Sequence, residues 1–227
     1  MKNLLKITLL IIVFVTPSIA FAQDSLKEVA LTFDDGPSAS GTLLITKILT
    51  ENKIPATFFQ MGENVKKMPE ITKEVFDNNF TIGNHSYTHS KKMKAMTRLE
   101  LDTELSKTQK IIFKTIGKTP NWFRSPYGLT SPKIKKALNK NNLKQVLWNI
   151  DSEDWVKNTS TTTVLSNIVD RLNKNGKIIL MHDGEAGNAN YHQMTVDALP
   201  YVLKYLEDNN YKVVPLEKII LSKPYTK

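Results

Sequence analysis

The sequence predicts an α/β protein with about seven parallel strands, and two observations carry that prediction. After residue 22, short β-branched or aromatic runs alternate with longer amphipathic segments, the order a parallel sheet with crossover helices requires. Chemically distinctive residues follow the ends of those runs, where a parallel sheet or barrel collects its functional groups. Strands are expected at 29–33, 56–60, 80–83, 122–124, 145–150, 177–181 and 211–214, with helices at 42–51, 70–78, 98–116, 132–139, 163–173 and 194–209. The helix at 98–116 is the best marked. Thr97 and Glu100 form a capping-box pattern, Leu101, Leu105, Ile112 and Ile116 recur at helical spacing, and Gly117 closes the segment. No internal repeat, low-complexity tract or linker divides the chain, so one domain is expected.

The first residues have a different character. Lys2 and Lys6 precede an apolar run from Ile7 to Val15, followed by Pro17, Ser18 and the small-x-small triplet Ala20-Phe21-Ala22. This is the layout of a secretory signal peptide, and the run is shorter than the roughly 20 residues of a membrane-spanning helix. Residues 1–22 are therefore set apart from residues 23–227, and a periplasmic or extracellular location is expected. Membrane contact is expected only through the signal before its cleavage; retention as an anchor is the alternative. The chain has no Cys, which removes lipid attachment at the cleavage site, disulfides and thiolate metal ligands.

The net charge is +9, of which the two signal-segment lysines supply +2. The remaining excess favours anionic polymers, but the lysines are scattered through helices and loops as solvated faces do. No basic stripe with interleaved aromatics is present, so nucleic acid is not an expected partner. A monomer is expected.

Five segments carry chemistry. Asp34-Asp35-Gly36-Pro37 ends the first strand; alone it is a turn signal, but two adjacent carboxylates resist joint ionisation unless a cation lies nearby. After the third strand comes His85-Ser86-Tyr87-Thr88-His89, whose two imidazoles are spaced to converge on one ion. Two His and one Asp leave positions open for water and substrate, and ligand type alone admits both hydrolysis and non-haem iron chemistry. Arg124-Ser125-Pro126-Tyr127-Gly128 offers a guanidinium for a carboxylate and a turn that can aim a backbone N–H at an oxyanion. Trp148-Asn149-Ile150-Asp151-Ser152-Glu153-Asp154-Trp155 sets three acids between indoles, a pattern equally compatible with core packing. Finally, the buried apolar strand Ile178 to Met181 ends in His182-Asp183-Gly184, and a carboxylate such as Asp154 can raise the pKa of that imidazole. The fourth His, His192, lies in an expected loop at 187–193 and is assigned no role.

In order and spacing these five segments resemble the five motifs of the polysaccharide deacetylase family, carbohydrate esterase family 4, with its chitooligosaccharide-deacetylase homology domain. The resemblance spans Val29 to Val214. It implies a distorted (β/α) barrel with fewer than eight complete units, with 23–227 as the catalytic domain. It also implies Asp34 as general base, Asp35, His85 and His89 as ligands to one divalent metal, and Arg124 as the group that orients the base. Tyr127 would supply a backbone oxyanion contact and Leu180 with Trp155 an acetyl pocket. His182 would be the general acid, tuned by Asp154, with Asp151 in a supporting place. Zinc is the first choice of metal, and cobalt, nickel or manganese suit the same ligands.

The activity so implied is hydrolytic removal of N-acetyl groups from an N-acetylated glycan, with release of acetate. Peptidoglycan, poly-N-acetylglucosamine, a lipid-linked sugar and chitooligosaccharides all remain open as substrates. No Ser or Cys nucleophile motif such as G-x-S-x-G competes with direct attack by water. O-deacetylation of an acetylated polysaccharide is the alternative within the family, and a non-catalytic glycan-binding protein on the same fold is the rival outside catalysis. Iron oxygenase chemistry is disfavoured, because those sites sit on all-β double sheets whereas this chain alternates strand and helix. The leader generates one expectation of its own: protein exported by its native host should have an intact mass lacking residues 1–22. A mass that includes them would mean a retained anchor.

Overall fold

The structure, a computed structural model, describes residues 26–184 and 191–226. The expected signal peptide, residues 1–22, lies outside the described residues. In chain order the elements are β1 (Lys27–Asp34), α1 (Gly41–Glu51), β2 (Ala56–Gln60), α2 (Gly62–Lys67), α3 (Pro69–Asp77), β3 (Thr81–Asn84) and α4 (Arg98–Ile116). They continue as β4 (Trp122–Phe123), α5 (Pro132–Lys140), β5 (Lys144–Gln145), β6 (Ile150–Asp151), α6 (Thr161–Leu172), β7 (Ile178–His182), α7 (Tyr191–Asp208), β8 (Tyr211–Val213) and α8 (Leu216–Ile220).

Seven strands follow one path, β5-β4-β3-β2-β1-β7-β6, and β8 pairs with β1 beside it. Every ladder between named strands is parallel. The two ends of the path, β5 and β6, are neighbours in sequence and are joined only by residues 146–149. Five residue steps reach at most about 18 Å, whereas six strand spacings in a flat sheet would separate the ends by about 29 Å. The sheet must therefore curl toward itself, and the result is the distorted, incomplete (β/α) barrel.

The expected strand at 145–150 is thus a correction: it is two short strands on opposite ends of the sheet. The cause is visible at the break. The carbonyls of Val146 and Leu147 accept from the Arg124 guanidinium, and the Asn149 side chain accepts from the backbone N–H groups of Lys177 and Ile178. Polar groups that would extend a ladder are used instead to bridge the gap. The other expected elements are present with ends shifted by up to three residues, and α2 and α8 are additions too short to show a period. Because α7 begins at Tyr191, His192 falls in a helical turn rather than a loop; its side chain lies outside the described residues.

The strand at the centre is β1, buried from Val29 onward. Its Phe33 stacks on Phe58 of β2 at 5.0 Å, and Phe58 meets Phe80 edge-on at 5.5 Å, forming an aromatic spine under the helices. The long helix α4 has the expected start and stop. Thr97 Oγ1 accepts from the Glu100 N–H, the Glu100 carboxylate accepts from the Thr97 N–H, and Gly117 closes the helix at a φ of 68°. Parallel pairing leaves the carboxyl ends of the strands on one rim. Asp34 is in register with Phe59 of β2 and Gln60 with Asn84 of β3, and on the other flank Asp34 is paired in register with His182 of β7.

Candidate active site

The rim builds a cavity of about 500 Å³. Asp34, Asp35, His85, His89, Tyr127, Asp151, Trp155, Leu180 and His182 line it, so nine of the residues singled out in the sequence come together. The other two, Arg124 and Asp154, are buried directly behind it.

Arg124 follows β4 and is fully buried. Its Nη1 donates to Asp34 Oδ1 at 2.9 Å and to Thr32 Oγ1 at 2.7 Å, Nε donates to the Val146 carbonyl, and Nη2 to that of Leu147. The guanidinium lies 4.2 Å from the centre of the Phe59 ring. Burial pulls the Arg124 pKa below its ordinary value, and the Asp34 charge works against that shift.

Asp35 turns away from β1 at a φ of 76°, which sends its carboxylate toward the two imidazoles while Asp34 faces Arg124. Its Oδ1 lies 3.1 Å from both His85 Nε2 and His89 Nε2. Neither ring meets that oxygen with full hydrogen-bond geometry, and the buried Oδ1 is left without a hydrogen-bond partner. His85 Nδ1 is 2.7 Å from the Arg124 carbonyl, which can only accept, so Nδ1 carries the hydrogen and a neutral ring aims the Nε2 lone pair at the carboxylate. Two lone pairs facing across 3.1 Å need a cation between or beside them.

One oxygen of Asp35 and one nitrogen from each His lie within 4.8 Å of one another, the donor set of a divalent ion. The same geometry strengthens proton affinity. Burial works against the charged form of His85, but Asp34 and Asp35 raise its pKa. For Asp35 burial opposes ionisation, yet the two imidazoles hold its carboxyl well below the usual carboxylate range.

On the other side of β1, His182 Nδ1 is 2.7 Å from Asp154 Oδ1, and Asp154 Oδ2 accepts from the His182 backbone N–H and from Thr195 Oγ1. Burial disfavours the imidazolium, but the Asp154 carboxylate, helped by the more distant Asp35 and Asp34, pushes the pKa up to about 10. Asp151 accepts from both indoles, Trp148 Nε1 at 3.0 Å and Trp155 Nε1 at 3.4 Å, and so sets the walls of the cavity. Tyr127, at a φ of 55° in the turn 126–128, packs its ring 4.7 Å from that of His89.

Three features were not assigned from sequence. Trp148 and Lys91 also line the cavity. Asp183 sits behind it, accepting from the Gly36 N–H and from Thr42 Oγ1, while its own N–H donates to the Asp34 carbonyl; burial pushes its carboxyl up to about 7. The Gly184 that follows is required by close approach, since a Cβ there would overlap the Asp35 carbonyl. Trp148 belongs to a run already quoted, and Asp183 is next to His182, so adjacency was their available signal. Lys91 had none.

The order of these motifs and this barrel are those of the polysaccharide deacetylase class. The chain belongs to the polysaccharide deacetylase family, whose profile matches residues 22–146. It is 34% identical over 189 residues to a peptidoglycan-N-acetylglucosamine deacetylase of Bacillus cereus, covering 83% of this chain and 66% of that protein. The chain thus spans just under two thirds of that relative's length. It is 33% identical over 202 residues to a chitooligosaccharide deacetylase of Azorhizobium caulinodans, covering 84% of this chain and 93% of the relative. Among solved structures, the Bc1960 peptidoglycan N-acetylglucosamine deacetylase superposes with a TM-score of 0.79 at 30% identity, over 89% of this chain and 92% of that one.

The Arg124 contacts generate a stability prediction. Arg124→Ala should cost about 3–5 kcal/mol in denaturant unfolding, because it leaves the buried Asp34 without its cation and strips two carbonyls of their donor. Loss within the error of the measurement would show that the pair is dispensable to the fold.

Proposed function

We propose that this chain is an exported, metal-dependent hydrolase that removes N-acetyl groups from an N-acetylated glycan, leaving a free sugar amine and acetate. The observation that carries the reading is the register of β1 and β7. It sets a carboxylate held by a buried arginine beside an imidazole held by a buried carboxylate, next to a three-residue cation site. Export rests on the leader at residues 1–22, and 23–227 is the catalytic domain.

A divalent ion held by Asp35, His85 and His89 would polarise the acetyl carbonyl and acidify water. The protein's own groups do the rest. Arg124 holds Asp34 through Oδ1, so the remaining oxygen takes the proton of the attacking water. As oxygen adds to the carbonyl carbon, the Tyr127 backbone N–H faces the developing oxyanion. His182 begins protonated, its Nδ1 hydrogen committed to Asp154, and delivers the Nε2 proton to the nitrogen as the C–N bond breaks. Leu180 and Trp155 form the wall for the acetyl methyl, and the two indoles fixed by Asp151 give the sugar ring a flat apolar face.

Acetate release is to be measured with metal-reconstituted protein on peptidoglycan, poly-N-acetylglucosamine, chitooligosaccharides and O-acetylated xylan. Release from N-acetylated glycans is expected; release from xylan alone would favour O-deacetylation, and none from any polymer would leave a binding protein. Asp34→Asn should lower turnover by about 10²–10⁴ while metal content is kept. His182→Ala should keep metal too, and should be rescued by an activated aryl acetate whose leaving group needs no proton. If either variant loses its metal, that residue is a ligand and the assignment of roles fails.

The His182 pair also sets a pH dependence. A general acid works while protonated, so the rate falls as pH rises through its pKa. Asp154→Asn removes the charge that raises that pKa, and the alkaline limb of kcat against pH should move to lower pH. An alkaline limb that stays in place would separate Asp154 from the acid.

A further inference from the structure

The loop between the two imidazoles is not held by the sheet alone. Ser86 and His89 both adopt left-handed backbone, at φ values of 63° and 54°, and the turn they make points the N–H groups of Tyr87 and Thr88 away from any strand partner. Both N–H groups are taken by one carboxylate on α4. Glu104 Oε2 accepts from Tyr87 at 3.0 Å and from Thr88 at 2.9 Å, and Oε1 accepts from Thr88 Oγ1 at 2.9 Å. Asn84 ties the loop to the same helix, donating to the Leu105 carbonyl and accepting from the Ser86 N–H. Glu104 is buried, and every hydrogen bond its side chain makes among the described residues goes to this loop.

We propose that Glu104 is a positioning residue for the metal centre, which sets His85 and His89 at the spacing one ion requires by fixing the backbone between them. The proposal rests on the reading of Asp35, His85 and His89 as ligands. Helix α4 does not need Glu104 for its own anchorage, since Leu101, Leu105, Thr108 and Ile112 bury its inner face. An acid on that face is otherwise unfavourable, and three donors from a single loop are what stabilise it there.

Competition with a chromophoric zinc chelator measures the ion affinity of wild type, Glu104→Gln and Glu104→Leu, alongside urea midpoints of the metal-free proteins. Glu104→Leu is expected to weaken zinc by about 10–100-fold, the usual effect of losing a group that orients ligands. Glu104→Gln should stay within about threefold, because its amide oxygen can accept both N–H groups and its NH2 can donate to Thr88 Oγ1. Unchanged zinc affinity in a folded Glu104→Leu protein, whatever its urea midpoint, makes Glu104 a residue of the fold and overturns the proposal. Should Glu104→Leu not fold, Thr88→Val carries the test: weaker zinc binding supports the proposal, and unchanged binding overturns it. A wild-type protein that binds no zinc overturns the ligand triad itself, and this proposal with it.

Discussion

The buried guanidinium of Arg124 is the constraint around which this structure is arranged. A charge with no solvent exposure needs a complete set of partners, and here the partners come from separated parts of the chain: Asp34 and Thr32 on β1, and the carbonyls of Val146 and Leu147 in the crossing from β5 to β6. The same group therefore bridges the open side of the barrel and orients a carboxylate on its central strand. Its own backbone carbonyl accepts from His85, so a third line of contact runs to the imidazole loop. Few substitutions could preserve this pattern, because the guanidinium donates to four acceptors from three nitrogens, and a lysine ammonium has three N–H donors on a single nitrogen.

Around that cation the protein concentrates acids. Asp34, Asp35, Asp154 and Asp183 are all buried at the ends of two adjacent strands or in the loop that faces them, and their charges raise the proton affinity of His182, His85 and Asp183 nearby. His182 is pushed toward the imidazolium and His85 gains proton affinity, while Asp183 is pushed toward its neutral form by burial and then by the charges of Asp35 and Asp34. A site with so many carboxylates and so little solvent is short of positive charge. The convergence of Asp35 Oδ1 with two imidazole nitrogens is the place where that shortage is most local.

Several supports of the site are neither ligands nor proton carriers in it. Asp151 fixes two indoles, Asp183 grips the turn after Asp35, and Glu104 grips the turn between the imidazoles. Each is a carboxylate that accepts from backbone or ring N–H groups. The chemistry is thus carried by loops at strand ends, and the loops are held by acids on neighbouring elements, which gives rigid placement without disulfides.

Composition and pattern determined a good deal. The strand and helix alternation set the α/β class, the Thr97 and Glu100 cap and Gly117 set α4 to the residue, and the five segments at strand ends marked nine of the eleven residues that line the cavity. Those properties are local, being written in neighbouring residues and short periods. Glu104 could have been noticed as well, since it falls three residues after Leu101 and four before Thr108 on the inner face of α4. What it holds was not legible, because its partners lie 16 and 17 residues away. The tertiary structure alone decided that 145–150 is two strands and not one, that Asp34 stands level with His182 from a position 148 residues distant, and that one arginine closes the barrel. Register and closure are set by which strands meet and by the buried polar groups that must be satisfied when they do, and no window of sequence contains both sides of such a pairing.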